Sequence, residues 1–240
     1  MRRRRFGAVL TALSATLLAA VGCGKLQEPQ ASAAPRPIAS PRGLRNHGNT
    51  CAIASVVQLL LHDGDLRLAA QRNNPELRLD LLHAAYHDAS QTPADVDAAY
   101  ATGVLHAIQR RYARQAAPGS LIEATDLWAH SEGLALPLQF VADPPRDIPR
   151  QRREHGHRVF GFFTSGDGSA SGYVSFADLP MRDELRGLIY NAGGHYLAYV
   201  RIDRRWWQFN DGIATTVDEP RMHQLRAQDA RGIACAIYQD

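Results

Sequence analysis

Three residue types that could together do thiol chemistry stand far apart in this 240-residue chain. Cys51 lies in GLRNHGNTCAIASVVQLL, residues 43–60, where a loop rich in glycine and asparagine turns into an apolar run with the texture of a buried helix. Asn49 and Thr50 are helix-capping types, which puts Cys51 in the first turn of that helix. There the unpaired backbone N–H groups and the positive end of the helix dipole favour thiolate over thiol, so a cysteine so placed becomes a nucleophile near neutral pH. Free cysteine also packs well in cores, so this position alone only suggests catalysis. A thiol nucleophile needs a general base within hydrogen-bond reach, a group that holds the imidazole in the useful tautomer, and donors aimed at the developing oxyanion. Among ten histidines, His195 stands out, at the start of a strong strand pattern in GGHYLAYVR, residues 193–201, just after a flexible glycine pair. Glycines there let the backbone approach a substrate tail closely. The next strand-like run, WWQFND, ends in Asn210 and Asp211. A turn at about residues 203–205 would make a tight hairpin, with His195 and Asn210 on neighbouring strands near one end. An Asn or Asp there can accept the imidazole N–H.

The elements that must position these groups fall into two halves. After the Cys51 helix the chain stays helical for about eighty residues, with Leu77, Leu81, Leu82, Ala85 and Tyr86 at helical spacing, then Val96, Tyr100, Val104, Leu105 and Ile108. Ser120 and Glu123 make a capping box ahead of Leu121, Ile122, Leu127 and Trp128. From Leu134 onward, LPLQFVA, RVFGFF, GLIYNA, HYLAYVRI, WWQFND, ATTV and IACAIYQ read as short strands of an antiparallel sheet, separated by Gly, Pro and Asp turns. Helices first and sheet second predict an α+β domain whose cysteine helix faces the sheet. Residues 144–158, polar and carrying Arg146, Arg150, Arg152 and Arg153, read as an exposed loop, and residues 166–172 as a second, flexible one. His155 and His157 lack a nearby carboxylate or cysteine and are expected to be solvated. Trp206 and Trp207 alternate along a strand, one toward the core and one toward the surface or the cleft rim.

Composition narrows the function classes. At 45% hydrophobic and 21% charged the chain is globular in type. Its formal charge of +3 comes from Arg2 to Arg5; without them 23 basic residues face 24 acidic ones, and nothing points to nucleic acid. There is no glycine-rich phosphate loop and no internal repeat, so no cofactor is expected. Three cysteines, Cys23, Cys51 and Cys235, are too few for a disulfide framework, and no Cys-x-x-Cys pair offers a metal site. Cys235, in an apolar strand, reads as a small core residue, although a Cys51–Cys235 disulfide would silence the thiol. Arg2 to Arg5 followed by the apolar residues 6–21 read as a secretory signal. It ends in Ala20-Val21-Gly22-Cys23, which resembles a bacterial lipoprotein signal with Cys23 as the lipidated residue; cleavage of an ordinary signal nearby is the alternative. The expected organisation is a signal over residues 1–23, a Pro/Ala/Ser-rich linker over 24–42 and a catalytic domain over 43–240. The chain is thus expected to be exported and held at a membrane, facing the periplasm or the cell surface, by its lipid alone.

Two of these stretches carry a family resemblance. GLRNHGNTCAIASVVQLL resembles the cysteine box of the ubiquitin-specific proteases, papain-like deubiquitinases, and GGHYLAYVR followed by RWWQFNDG resembles their histidine box. IACAIYQ is similar to the strand that closes that domain. The resemblance implies a papain-like fold, with Cys51 as nucleophile, His195 as general base, Asn210 as the third catalytic position and Asp211 as its acidic neighbour. It implies Asn46 as an oxyanion donor, with the backbone N–H of Cys51 as the second, and ubiquitin or a ubiquitin-like protein as substrate. Gln58 matches the box and reads as a helix-packing residue. Ala52 and Ala54 replace the Tyr and Asn usual after the cysteine, the zinc-bearing fingers region has no counterpart, and the family's Gln-x-Asp segment has no match between Tyr86 and Tyr100. Two alternatives share the sequence: an exported peptidase acting on envelope or cell-wall peptides, and a catalytically silent binding module.

Overall fold

Every residue from Cys51 to Leu61 in helix α1 (Cys51–His62) is buried, so this helix is core on all sides rather than amphipathic. Each of its fully buried Leu, Ile and Val side chains contributes about 1.5–3 kcal/mol relative to exposure. The computed structural model describes residues 40–112, 127–128, 134–162, 172–229 and 231–239. Helices α2 (Gly64–Asn73) and α3 (Leu79–His87) follow, the first capped by the Asp63 side chain, which accepts from Leu66 N. Helix α4 (Pro93–Ala99) starts on a capping box between Thr92 and Asp95 and runs through a π-helical turn, Tyr100–Leu105, into α5 (His106–Tyr112). Val96, Tyr100, Val104, Leu105 and Ile108 are all buried, as their spacing predicts, whereas Leu81 lies half exposed on the outer face of α3.

The seven strand-like runs become the seven strands of one sheet. They are β1 (Gln139–Val141), β2 (Val159–Phe162), β3 (Leu185–Ala192), β4 (Tyr196–Ile202), β5 (Arg205–Asn210), β6 (Ile213–Val217) and β7 (Arg231–Tyr238), in the order β1-β2-β7-β3-β4-β5-β6. All neighbouring pairs are antiparallel except β1 and β2, which run parallel. The expected α+β arrangement, helices ahead of a mostly antiparallel sheet, is therefore what the chain adopts.

The parallel pair comes from a second departure. Residues expected as an exposed loop form helix α6 (Pro144–His155), which crosses from β1 to β2. Pro144 and Pro145 fit the first turn, where their missing N–H groups cost nothing, and Pro149 forgoes one internal bond. Tertiary anchors compensate: Ile148 is fully buried, and Arg152 donates to Glu184 Oε2 and the Gln239 carbonyl, both at 2.7 Å, while lying over the Tyr238 ring. Gly156 ends the helix in the left-handed region, φ 65°.

Both faces of the sheet are covered. α1 and its neighbouring helices bury Ile189, Tyr196, Ala198, Val200 and Phe209; the other face packs Leu188, Leu197, Tyr199 and Trp206 against Ile148, Phe176 and Met222. Trp206 and Trp207 do face opposite ways, and each meets a core, with Trp207 half-buried toward α1. A bulge opposite the Ile189–Tyr190 step turns both Ala234 and Cys235 toward the α1 side. Neither Cys51 nor Cys235 is in a disulfide; Cys235 lies in the core, and burial pushes its thiol up to about 12. Among the described residues no helix is long and apolar enough to cross a membrane. The capping box at Ser120 and Glu123, the signal with Cys23, the linker up to residue 39 and residues 166–171 of the second loop lie outside the described residues.

Candidate active site

The loop ahead of Cys51 is built against the turn that follows Asn210. A Cβ at Gly43 would stand 2.2 Å from the Asp211 carbonyl oxygen, 2.3 Å from Gly212 C and 2.5 Å from Ile213 N, so the two backbones touch where only glycine fits. Gly48 and Asn49, both at positive φ, reverse the chain so that α1 begins at Cys51 with Thr50 at its N-cap. The Thr50 hydroxyl does not cap the helix: it accepts from His47 N at 2.9 Å and donates to Asn46 Oδ1 at 3.2 Å. Thr50 N donates to the same oxygen at 3.1 Å, and Asn46 Nδ2 donates to Asp211 Oδ2 at 3.3 Å. One N–H of that amide is thereby committed to Asp211, which fixes the direction of the other. Gln58 does more than pack. Its buried Nε2 donates to the Arg42 carbonyl at 2.9 Å, and Tyr86 Oη donates to the same carbonyl at 2.8 Å, tying down the chain just before Gly43.

The histidine side is equally fixed. A two-residue turn at Asp203 and Arg204, both at positive φ, joins β4 to β5 and pairs Ala198 with Phe209. His195 precedes β4, and its Nε2 is 2.9 Å from Asn210 Oδ1. An amide oxygen only accepts, so Nε2 carries the proton and the lone pair sits on Nδ1, on the far edge of the ring. Asp211 Oδ2 lies 3.9 Å from Nε2, too long for a hydrogen bond. The turn before His195 is held by Asn191, whose Oδ1 accepts from Gly193 N at 2.9 Å and Gly194 N at 2.8 Å. Asn191 Nδ2 donates to Tyr173 Oη at 2.5 Å, and Ala192 N donates to the His195 carbonyl at 2.7 Å.

The direction of α1 joins the two sides. Leu59, near its C-terminal end, packs over Gly187, which pairs with Val200 toward the end of β4. The N-terminal end, with Cys51, therefore points toward the start of β4, where His195 stands. Cys51 is 3% exposed, whereas the His195 side chain is 38% exposed, so the thiol lies at the floor and the imidazole at the rim. A groove of about 440 Å³, lined by Gly43, Arg45, Pro93, Ala94, Asp97 and Gly212 among others, opens beside this loop. Among the described residues no group of His, Cys, Asp and Glu is placed to hold a metal ion.

No protein-family model matches the chain, and no curated protein sequence does. Among solved structures, it is similar to a chain of the SAGA Ubp8/Sgf11/Sus1/Sgf73 DUB module bound to ubiquitin aldehyde, at 13% identity over 83% of this chain and 70% of that one, with a TM-score of 0.49. It is also similar to a chain of the same module in a second structure, at 14% identity over 82% and 67% of the two chains, TM-score 0.41. A chain of a yeast SAGA DUB module aligns at 11% identity over 83% and 68%, TM-score 0.39. At these values the roles proposed for individual residues rest on this chain's own geometry.

That geometry links Asn46, Asp211, His195 and Asn210 in one cluster, with Cys51 opening the helix directly after Thr50. Three supporting residues escape a reading by residue type: Gly43, Gln58 and Asn191. The glycine opens the cysteine stretch and the asparagine sits in a strand-like run, and only the fold shows what they hold.

Proposed function

We propose that this chain is a cysteine-type hydrolase that cleaves after the Gly-terminated tail of ubiquitin or a ubiquitin-like protein. Nδ1 of His195 takes the Cys51 thiol proton as Sγ attacks the tail carbonyl. The oxyanion is met by the second N–H of Asn46 and by the backbone N–H of Cys51 at the helix start. The imidazolium then protonates the leaving amine, and the C–N bond breaks to leave a thioester. Water, deprotonated by the same nitrogen, attacks the thioester and releases the tail carboxylate and the thiol. Asn210 orients the ring throughout, and Asp211 steadies both the imidazolium and Asn46.

The observation that carries this reading is the 2.9 Å contact from His195 Nε2 to Asn210 Oδ1, at the end of the sheet toward which α1 presents Cys51. The ubiquitin part rests on the likeness of the two boxes to those of the ubiquitin-specific proteases. A ubiquitin probe with an electrophilic C-terminus is expected to form an adduct on Cys51 that is lost in Cys51→Ala. Labelling by a generic thiol reagent at mildly acidic pH, without probe adduct, would move the substrate to envelope or cell-wall peptides. Absence of any enhanced reactivity at Cys51 would refute the hydrolase reading and leave a binding module. Anchoring through Cys23 belongs to the same proposal, and is checked by incorporation of a palmitate analogue that Cys23→Ala abolishes.

A further inference from the structure

Strand β6 is an open edge of the sheet that runs from one groove to another. It comes last in the strand order, and its outer side pairs with no strand among the described residues. A two-residue turn joins it to β5, so Asn210 and Ile213 form a hydrogen-bonded pair, and alternation along the ladder makes Gln208–Thr215 and Trp206–Val217 the others. The main-chain N–H and C=O groups of Ala214 and Thr216 therefore point away from the sheet, and no backbone bond from the described residues reaches them. Sheet edges are usually blunted by a charge, a proline or a bulge. β6 carries none of these: all of its residues are uncharged, all but Ala214 are β-branched, and Ile213 is 63% exposed.

The two ends of this edge differ. Gly212, just before it, lines the groove beside the Cys51 loop. Thr216 and Val217, at its far end, line a groove of about 640 Å³ together with Arg204, Arg205 and Arg221. None of these three guanidinium groups has a hydrogen bond or ion pair among the described residues. They face two carboxylates that are already in contact with neighbours: Asp218 Oδ1 accepts from Arg221 N at 3.1 Å, and Glu219 Oε1 lies 3.9 Å from His223 Nε2. A free backbone edge leading into unpaired arginines fits an extended chain with acidic side chains. A second copy of this protein fits it poorly. Paired antiparallel with itself, β6 would set each arginine groove against the other copy's Gly212 groove, whose charged members are Arg45 and an Asp97 already bonded to His47.

We propose that β6 is a docking edge for an extended acidic polypeptide segment. The segment adds a strand through the outward groups of Ala214 and Thr216 and places acidic side chains among Arg204, Arg205 and Arg221. On the hydrolase reading, on which this last assignment rests, it belongs to the substrate outside the cleaved tail and is held beside the thiol site by way of Gly212.

The probe is a fluorescein-labelled peptide, Glu-Glu-Thr-Val-Thr-Val-Thr-Glu-Glu, symmetric in charge so that either strand direction suffices. It is titrated by anisotropy against the full chain carrying Cys51→Ala, so that no chemistry intervenes. Binding is expected, and Thr216→Pro, which loses one outward N–H but keeps the bonds to β5, should weaken it about fivefold, whereas Thr216→Val should not. Arg205→Gln combined with Arg221→Gln should weaken it about tenfold. Two altered peptides leave the protein untouched: one with lysine in place of glutamate, and one N-methylated throughout its Thr-Val core, should both fail to bind. Three results overturn the inference: no binding of the acidic peptide, equal binding of the lysine peptide, or Thr216→Pro binding as tightly as Thr216→Val. A dimer in sedimentation velocity that Thr216→Pro dissolves overturns it too, by giving the edge to a second copy. None of these touches the hydrolase reading, which fails instead if the wild-type thiol is inert to the ubiquitin probe while the peptide still binds.

Discussion

Replacing Gly43 by alanine tests whether the loop before Cys51 must touch the β5–β6 turn. The added methyl would lie 2.2 Å from the Asp211 carbonyl oxygen, with two further backbone atoms within 2.5 Å, none of which can rotate away. Restoring ordinary contact requires the loop or the turn to move by about 1 Å. That movement stretches the 3.3 Å bond from Asn46 to Asp211 beyond hydrogen-bonding range. Overpacking of this kind costs about 1–3 kcal/mol, which for a domain of this size lowers the melting temperature by roughly 3–10 °C. The kinetic effect should be larger, because a misplacement of about 1 Å in a catalytic group can cost on the order of 100-fold in rate. The assay is kcat/KM for release of a fluorophore from the C-terminus of ubiquitin, beside calorimetry on the same preparation. Gly212→Ala is the matched control: its Cβ meets nothing within 4 Å and its φ is not positive, so it should leave both quantities nearly unchanged. Gly43→Ala with wild-type kcat/KM and melting temperature would refute the reasoning that joins the two loops.

Other expectations follow from the same geometry. His195→Ala should abolish turnover, while Asn210→Ala should keep a measurable remnant, since an orienting group contributes less than the base; equal residual rates for the two would reverse the roles. Asn191→Ala removes the acceptor of two N–H bonds in the turn before His195, so kcat should fall about tenfold with little change in KM, and an unaltered kcat would show that the turn holds itself. Acid should destabilise the protein before its carboxylates titrate. Burial and the neighbouring His87 and His83 lower the His62 pKa to about 3, and burial, Arg67 and His87 lower that of His83 to about 4, against 6.5 for a free histidine. Below 6.5 the unfolded chain binds protons that the native protein refuses, so stability present above that pH is lost progressively toward pH 4 and 3. A melting temperature that stays flat from pH 7 to about 4 would contradict this, and His83→Asn should remove part of the slope.

The halves of this fold differed in how plainly the sequence announced them. Each strand could be read from its own run of β-branched and aromatic residues, set off by Gly, Pro and Asp turns. Strand direction is another matter, because pairing is decided between segments; with residues 144–155 taken as loop, nothing suggested a crossover that makes β1 and β2 parallel. That helix was hidden because local chemistry argues against it. Two prolines at its start, another inside and a run of arginines have weak reason to be helical until Ile148 and Arg152 find their tertiary partners. At the candidate site, Cys51, His195 and Asn210 were singled out by type and neighbourhood, and the fold sets His195 beside Asn210. Gln58 was not legible in its actual role, since a buried amide holding the Arg42 carbonyl looks, in sequence, like any polar residue on a helix.

The position of β7 between β2 and β3 has a consequence for how the molecule comes into being. The meander from β3 to β6 is built of sequence neighbours and can zip up locally, setting His195 beside Asn210 early. The sheet nevertheless stays split until residues 231–238 insert between β2 and β3, and a chain lacking them would carry two half-sheets with raw inner edges. The last segment of the sequence is thus the one that joins the two parts of the sheet into one.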